Sequence, residues 1–306
     1  MRIVAEHLSY TYNAKSPFAT KALNDVSLTV EEGEFFGIIG HTGSGKSTFV
    51  QHLNGLLRVP SSQKRYKKPR VKRGQVPPPE TVLKVGEFDL TDKKTDFKGL
   101  RKCVGMVFQY PEYQLFAETV KEDVAFGLKN FEKKLTEEEI AGKVKAAIEI
   151  VGLDYEAVKD TSPFDLSGGQ KRRVAIAGVL VTRPESLVLD EPAAGLDPLG
   201  KKEVMELLHR IHKEWCKTVI IVSHDMDEIS ENCTRAAVFA EGKIKYVLPP
   251  HELFSRAEEL KSLGLDIPLT AKLCLALKKR GIEIDCDCTT EGFIASVLNA
   301  LKGDKA

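Results

Sequence analysis

The stretch Glu34 to Thr48, EFFGIIGHTGSGKST, decides how the rest of the chain is read. An apolar run, FFGII, ends at Gly40. A glycine-rich segment follows, and Lys46 and Ser47 then open a helix-like stretch to about Leu57. Gly40, His41, Thr42, Gly43, Ser44, Gly45, Lys46 and Ser47 fit G-x-x-x-x-G-K-[ST], with Thr48 directly behind. The motif sits where its chemistry needs it, between a buried strand and a helix. Glycines let backbone N–H groups approach an anion, and the helix start adds unpaired N–H groups and a positive dipole end. Lys46 then reaches terminal phosphates, and the Ser47 hydroxyl can ligate Mg²⁺.

Working outward, residues 2–12 and 22–30 read as strands, with a turn at Glu31, Glu32 and Gly33. TVLKVGEFDL resumes as strand after a basic, proline-rich stretch at 58–80, and KCVGMVFQ is another. From Thr119 to Leu180 the pattern turns helical. Thr136 and Glu139 have the spacing of a capping box, and Ile140, Val144, Ala147, Ile148 and Val151 then fall on one face. SLVLD at 186–190 predicts a second buried strand, 198–215 a helix, and TVIIVSH at 218–224 a third strand. Ala240 to Lys243 predicts a hairpin turn, and 251–306 short helices with linkers. Strands alternating with helices imply an α/β core with a mostly parallel sheet.

Lys and Arg number 45 against 44 Asp and Glu, so no global charge argues for nucleic acid; any such case is local. Within the basic stretch, seven of the ten residues from Lys64 to Arg73 are Lys or Arg. Anionic lipid or nucleic acid could meet such a run, but a mobile, solvated loop is its usual fate. Uncharged apolar runs such as Val174 to Thr182 fall well short of the roughly 18 residues of a membrane span. With no N-terminal signal pattern, the chain is expected to be soluble or peripheral to a membrane. Six scattered cysteines are then expected as reduced thiols, and Cys286-x-Cys288 lacks the second ligand pair of a zinc site.

Three further strand ends carry chemistry. Asp190 and Glu191 close an apolar strand, where carboxylates point into the crevice beyond the strand ends. Asp190 can hold Mg²⁺, and Glu191 can orient or deprotonate an attacking water. His224 ends another strand, positioned for a γ-phosphate. Gln109 ends a fourth, with an amide able to touch Mg²⁺ or water. Ser167, Gly168, Gly169 and Gln170, in LSGGQKRR, make a second glycine-rich helix start with capping-box spacing.

These motifs, with LVLDE and AGLD (194–197), stand in the order and rough spacing of an ATP-binding cassette (ABC) ATPase, which the chain resembles over about residues 1–245. The resemblance implies a P-loop NTPase, RecA-like ABC nucleotide-binding domain with an antiparallel β subdomain. It adds a helical signature subdomain at about 115–180 and a small helical C-terminal extension at 246–306. It implies ATP and Mg²⁺ as ligands, Tyr12 stacking on adenine, and a head-to-tail ATPase dimer. One subunit's Ser167–Gln170 would then close over the other's nucleotide, with Asp197 coupling the two sites. Ala193 stands where the family usually carries Thr.

A narrower resemblance lies in SPFATKALNDVSL, HLNGLL, VFQYPEYQLFAETVKEDVAFG and SPFDLSGGQKRRVAIAGVL, which look like the ATPase subunit of energy-coupling-factor transporters. These import vitamins and transition-metal ions. The resemblance implies a second ATPase subunit (paralogue or self), a transmembrane coupling protein and a substrate-binding membrane subunit. It places the chain on the cytoplasmic side of the cell membrane as a peripheral protein, with no nucleic-acid partner expected. Tyr113, Leu115 and Phe116 would face partner helices. Another ABC transporter is the alternative, or a non-transport ABC protein acting on nucleic acid.

Overall fold

The computed structural model describes residues 1–60, 79–282, 284 and 287–303; most of the basic stretch, and Cys286, lie outside them. In chain order the elements begin with β1 (Ile3–Tyr12), β2 (Thr20–Val30), β3 (Phe35–Ile39), α1 (Lys46–Leu53), β4 (Val82–Val85), β5 (Phe88–Asp89), α2 (Phe97–Cys103) and β6 (Val104–Val107). Then come α3 (Val120–Phe131), α4 (Glu137–Ile150), α5 (Tyr155–Val158), α6 (Gly168–Leu180), β7 (Ser186–Asp190), α7 (Pro198–Glu214), β8 (Thr218–Val222) and α8 (Met226–Asn232). Last are β9 (Arg235–Ala240), β10 (Lys243–Leu248), α9 (Pro250–Phe254), α10 (Ala257–Ser262), α11 (Leu269–Lys279) and α12 (Thr290–Gly303).

Two sheets form. One is antiparallel, in the order β2-β1-β4-β5; the other runs β10-β9-β3-β8-β7-β6. In the second sheet β9, β3, β8, β7 and β6 are mutually parallel, and only β10 runs antiparallel, on β9. The stretch expected as one strand, TVLKVGEFDL, breaks at Gly86 into β4 and β5. The hairpin at Ala240 to Lys243 is present. Glu241 and Gly242 both have positive φ, 53° and 72°, the backbone of a tight turn whose twist matches its strands.

The uninterrupted apolar strands are explained by burial on both faces, with period-2 alternation choosing the partner layer. Phe35 and Ile39 of β3, Val219 and Ile221 of β8, and Leu187 and Leu189 of β7 join the core shared with α3, α4, α6 and α7. Phe36 and Ile38, Ile220 and Val222, and Val188 face the other way, onto the antiparallel sheet and α1. Helices, parallel sheet and antiparallel sheet thus make three layers. α4 begins with the full Thr136–Glu139 capping box and buries Ile140, Val144, Ala147 and Ile148, as the spacing predicts.

Register brings the functional strand ends level. Ile38 pairs with Val222, Asp190 pairs with Val222, and Val107 pairs with Leu189. Because these strands are parallel, the segments after β3, β6, β7 and β8 all leave from the same edge.

Candidate functional site

The loop after β3 closes with Gly45 at φ 107°, a conformation only glycine adopts readily, and a Cβ there would lie 2.6 Å from the Ala22 carbonyl oxygen. α1 therefore starts with no side chain capping its N–H groups. Lys46 crosses the loop, donating to the carbonyls of Gly40 (2.6 Å) and His41 (3.0 Å). Burial pushes its ammonium below the usual range, while the charges of Asp190 and Glu191 oppose that. The Ser44 hydroxyl is buried and makes no hydrogen bond.

Asp190 is pushed the other way. Burial raises its carboxyl, against a hydrogen bond from Ser47, and the Glu191 charge adds to the rise. Glu191 is fixed at both oxygens: Gln109 Nε2 donates to Oε2 at 2.8 Å, and His224 Nδ1 lies 3.1 Å from Oε1. Its backbone is held too, at φ 53°, which is uncommon outside glycine. A cavity of about 540 Å³ is lined by Tyr12, Thr42, Gly43, Lys46, Ser47, Gln109, Asp190 and Glu191, among others. Tyr12 reaches it and sits 3.2 Å from the Thr48 hydroxyl, whereas Tyr10 packs edge-on against His52. The sequence-predicted residues from three strand ends and the glycine-rich loop are therefore brought together.

Ser167, Gly168, Gly169 and Gln170 are not part of that cluster. Ser167 caps α6, and the box is complete: Ser167 N–H donates to Gln170 Oε1 at 3.0 Å, and Gln170 N–H donates to Ser167 Oγ at 3.4 Å. A Cβ on Gly168 or Gly169 would meet nothing within 4 Å. Gly169 lines a different cavity, with Asp197 and Arg173, that shares no residue with the Lys46 cavity. Asp197 caps α7 through the Gly200 N–H, at 2.8 Å.

The profile of the ABC transporter family matches residues 23–194. The chain belongs to the ABC transporter family. Among its curated relatives is the "Energy-coupling factor transporter ATP-binding protein EcfA2" of Clostridioides difficile, 46% identical over 305 residues, which are 99% of each chain. Among solved structures, cbiO1 from Clostridium perfringens, titled part of the ABC transporter complex cbiONQ, superposes with TM-score 0.67 at 36% identity, over 89% of this chain and 97% of that one. The ATP-binding cassette MJ0796, solved as a dimer bound to ADP and Pi, gives TM-score 0.66 at 26% identity, over 81% of this chain and 98% of that one. The chain is thus an ATP-binding, ABC-type ATPase of the energy-coupling-factor group.

Two neighbours of the site escape a sequence reading. Arg172 is 5% exposed and hydrogen-bonds three backbone carbonyls after β7. Glu228 accepts a hydrogen bond from Ser223, beside His224, and burial pushes its carboxyl up. Neither has a motif spacing that would announce it. Leu115 corrects the expectation of an exposed partner face: it is buried at 6%, while Tyr113 and Phe116 are exposed. A leucine between Gln114 and Phe116 gives no sign of which side faces in. Cys103, Cys216 and Cys233 are thiols, but Cys274 is disulfide-bonded, against the expectation of reduced cysteines throughout. Among the described residues no helix is long and apolar enough to cross a membrane.

Proposed function

We propose that this chain hydrolyses ATP for an energy-coupling-factor importer of a vitamin or transition-metal ion, by closing head-to-tail on a second ATPase subunit. The observation that carries this is the Glu191 carboxylate, held at both oxygens by Gln109 and His224 on the rim of the Lys46 cavity.

In this reading the phosphates lie on the N–H groups of the loop and α1, with Lys46 as counter-charge and Tyr12 against adenine. The donor set suits Mg²⁺: the Ser47 hydroxyl and Asp190 carboxylate are hard oxygen ligands in hydrogen-bond contact, with the Gln109 amide nearby. Bound there with ATP, Mg²⁺ would neutralise charge on the β- and γ-phosphates. Glu191 orients the attacking water and accepts its proton as the water oxygen bonds to the γ-phosphorus and the bond to ADP breaks. His224 stands beside Glu191, in reach of the γ-phosphate.

Ser167, Gly168, Gly169 and Gln170 would serve the partner's nucleotide, with Asp197 coupling the two sites. Their opening into space apart from the Lys46 cavity supports this, and a relative of this fold has been solved as a nucleotide-bound dimer. The partner ATPase is a paralogue or a second copy. Residues 1–245 form the ATPase domain. The extension 246–306 pairs the subunits, in keeping with the exposed Leu269, Leu273 and Leu298 on its helices.

Tyr110, Tyr113, Phe116 and Phe126 form two exposed ring pairs, at 6.1 and 4.8 Å, a surface suited to helices of a transmembrane coupling protein. That protein would carry a substrate-binding membrane subunit and hold this chain, as a peripheral protein, at the cytoplasmic membrane face. The test is Glu191→Gln in the assembled complex. ATP binding should persist and turnover should fall about 10²–10⁴-fold, the usual cost of losing a positioned base. Hydrolysis near the wild-type rate would remove Glu191 from this role.

A further inference from the structure

Glu191 holds a backbone conformation that a side-chain-bearing residue rarely keeps without outside support, since such strain persists only where the surroundings over-determine it. Two supports are visible. On one side the Glu191 N–H donates to the Val222 carbonyl at 2.8 Å, an extension of the β7–β8 ladder. On the other side stands Arg172, from the second turn of α6. Its Nη2 donates to the carbonyls of Glu191 (3.1 Å) and Pro192, and its Nη1 donates to the carbonyl of Ala194 at 2.7 Å.

A planar guanidinium can fork across three carbonyls in this way; a lysine ammonium cannot reproduce the fixed geometry. The group is expensive to keep there. Burial works against its charge, opposed by the nearby carboxylates of Glu112 and Glu228. The Arg172 Nε and the Glu112 Oε2 are both buried and make no hydrogen bond. Packing alone would be served as well by an apolar side chain, so the guanidinium is retained for what it holds.

We propose that Arg172 is a positioning residue for hydrolysis: it clamps the Glu191–Ala194 turn so that Glu191 stays aimed at the Lys46 cavity. The clamp also ties that turn to the helix whose N-terminus, in the function proposed above, faces the partner's nucleotide. The inference rests on that reading for the role of Glu191.

The experiment measures steady-state hydrolysis by the assembled transporter, per ATP-binding site, for Arg172→Lys, Arg172→Gln, Glu191→Gln and the double variant Arg172→Lys/Glu191→Gln. Both Arg172 variants should lower kcat about 10- to 100-fold, the scale of one lost charge-assisted hydrogen bond, with KM for ATP within about twofold. Counting sites by bound nucleotide separates this from a mere loss of folded protein. In the Glu191→Gln background, Arg172→Lys should change the residual rate by less than about threefold, because the carboxylate it positions is already gone. Wild-type kcat in Arg172→Lys overturns the clamp while Glu191→Gln remains inactive, so the function above survives. A loss of undiminished size in the double variant overturns the clamp too, and makes Arg172 a packing residue. Wild-type turnover in Glu191→Gln itself overturns both the clamp and the function.

Discussion

Gly168→Asp sets fold and function against each other, and the structure gives the sign of each. Gly168 is the first residue of α6, a helix with no acidic residue in its first turn, and a side chain there meets open space. Replacing this glycine at the helix start with aspartate recovers only about 0.3 kcal/mol of conformational cost, because aspartate ranks just above glycine as a helix former. An acid in the first turn adds about 0.3–1 kcal/mol through the helix dipole. The variant should therefore unfold at the same temperature as the wild type, or slightly above it. In the function proposed above, the same carboxylate stands where a partner's γ-phosphate would come. Two like charges about 4 Å apart repel by about 1 kcal/mol in water and about 4 kcal/mol at a protein surface. ATP-driven pairing should weaken by a factor between about five and several hundred. Monomeric ATP affinity should not change, because the Lys46 cavity is lined by other residues. The assay is thermal unfolding, nucleotide affinity of the isolated subunit, and ATP-dependent association with the pairing ATPase, beside Lys46→Ala. If Gly168→Asp depresses monomeric ATP affinity as far as Lys46→Ala does, both anion sites serve one nucleotide and the two-subunit account is wrong.

Other substitutions probe the remaining links. Asp190→Asn should abolish hydrolysis yet raise the thermal midpoint of the nucleotide-free protein, because burial already disfavours the charge. A carboxyl raised on folding takes up protons more readily in the native state, so native stability declines as pH rises through its folded pKa. The gain from Asp190→Asn should thus vanish in acid and grow as pH rises through the folded pKa, and a gain independent of pH would point to another cause. Leu115→Ala should cost about 2–5 kcal/mol by unfolding titration, as a buried leucine does. Tyr113→Ala, two residues earlier, should cost within about 0.5 kcal/mol but impair assembly with the membrane partner, judged by co-purification. Deleting Gln63 to Gln75 should leave hydrolysis and assembly unchanged; a large salt-dependent loss of binding to anionic vesicles or RNA would contradict that.

The parallel core and the gathering of strand ends were open to a sequence reading because they depend on local pattern. The short apolar stretches that end at Gly40, Asp190 and Ser223-His224 read as strands buried on both faces, and parallel pairing aligns their ends. Capping boxes at Thr136 and Ser167 are written within four residues and form as spelled. What escaped depends on contacts between distant segments. Arg172 reads as one cation in a charged run, and only the return of residues 191–194 makes it a buried clamp. The positive φ of Glu191 leaves no trace in its side chain. Leu115 and Tyr113 differ in burial because of how their segment lies on the helical layer, which alternation over so short a span does not fix.

The joint beneath the glycine-rich loop ties three segments of the chain together. The turn after β9, the loop before α1 and strand β2 meet there largely through backbone. Gly242 N–H donates to the Ser44 carbonyl at 3.0 Å, and Asn24 N–H donates to the Gly242 carbonyl at 2.8 Å. A Cβ on Gly45 or Gly242 would lie 2.6 or 2.8 Å from the Ala22 carbonyl oxygen. The Leu23 side chain also packs into the joint, its Cδ2 3.0 Å from where a Gly45 Cβ would lie, and the backbone hydrogen bonds couple the segments directly. β1, which carries Tyr12, is laddered onto β2, with Tyr12 opposite Thr20. In the function proposed above, this joint links the Tyr12 ring to the loop around Lys46, the two ends of one ligand site. A ligand of matching length, flat at one end and charged at the other, should then be favoured over shorter or longer ones.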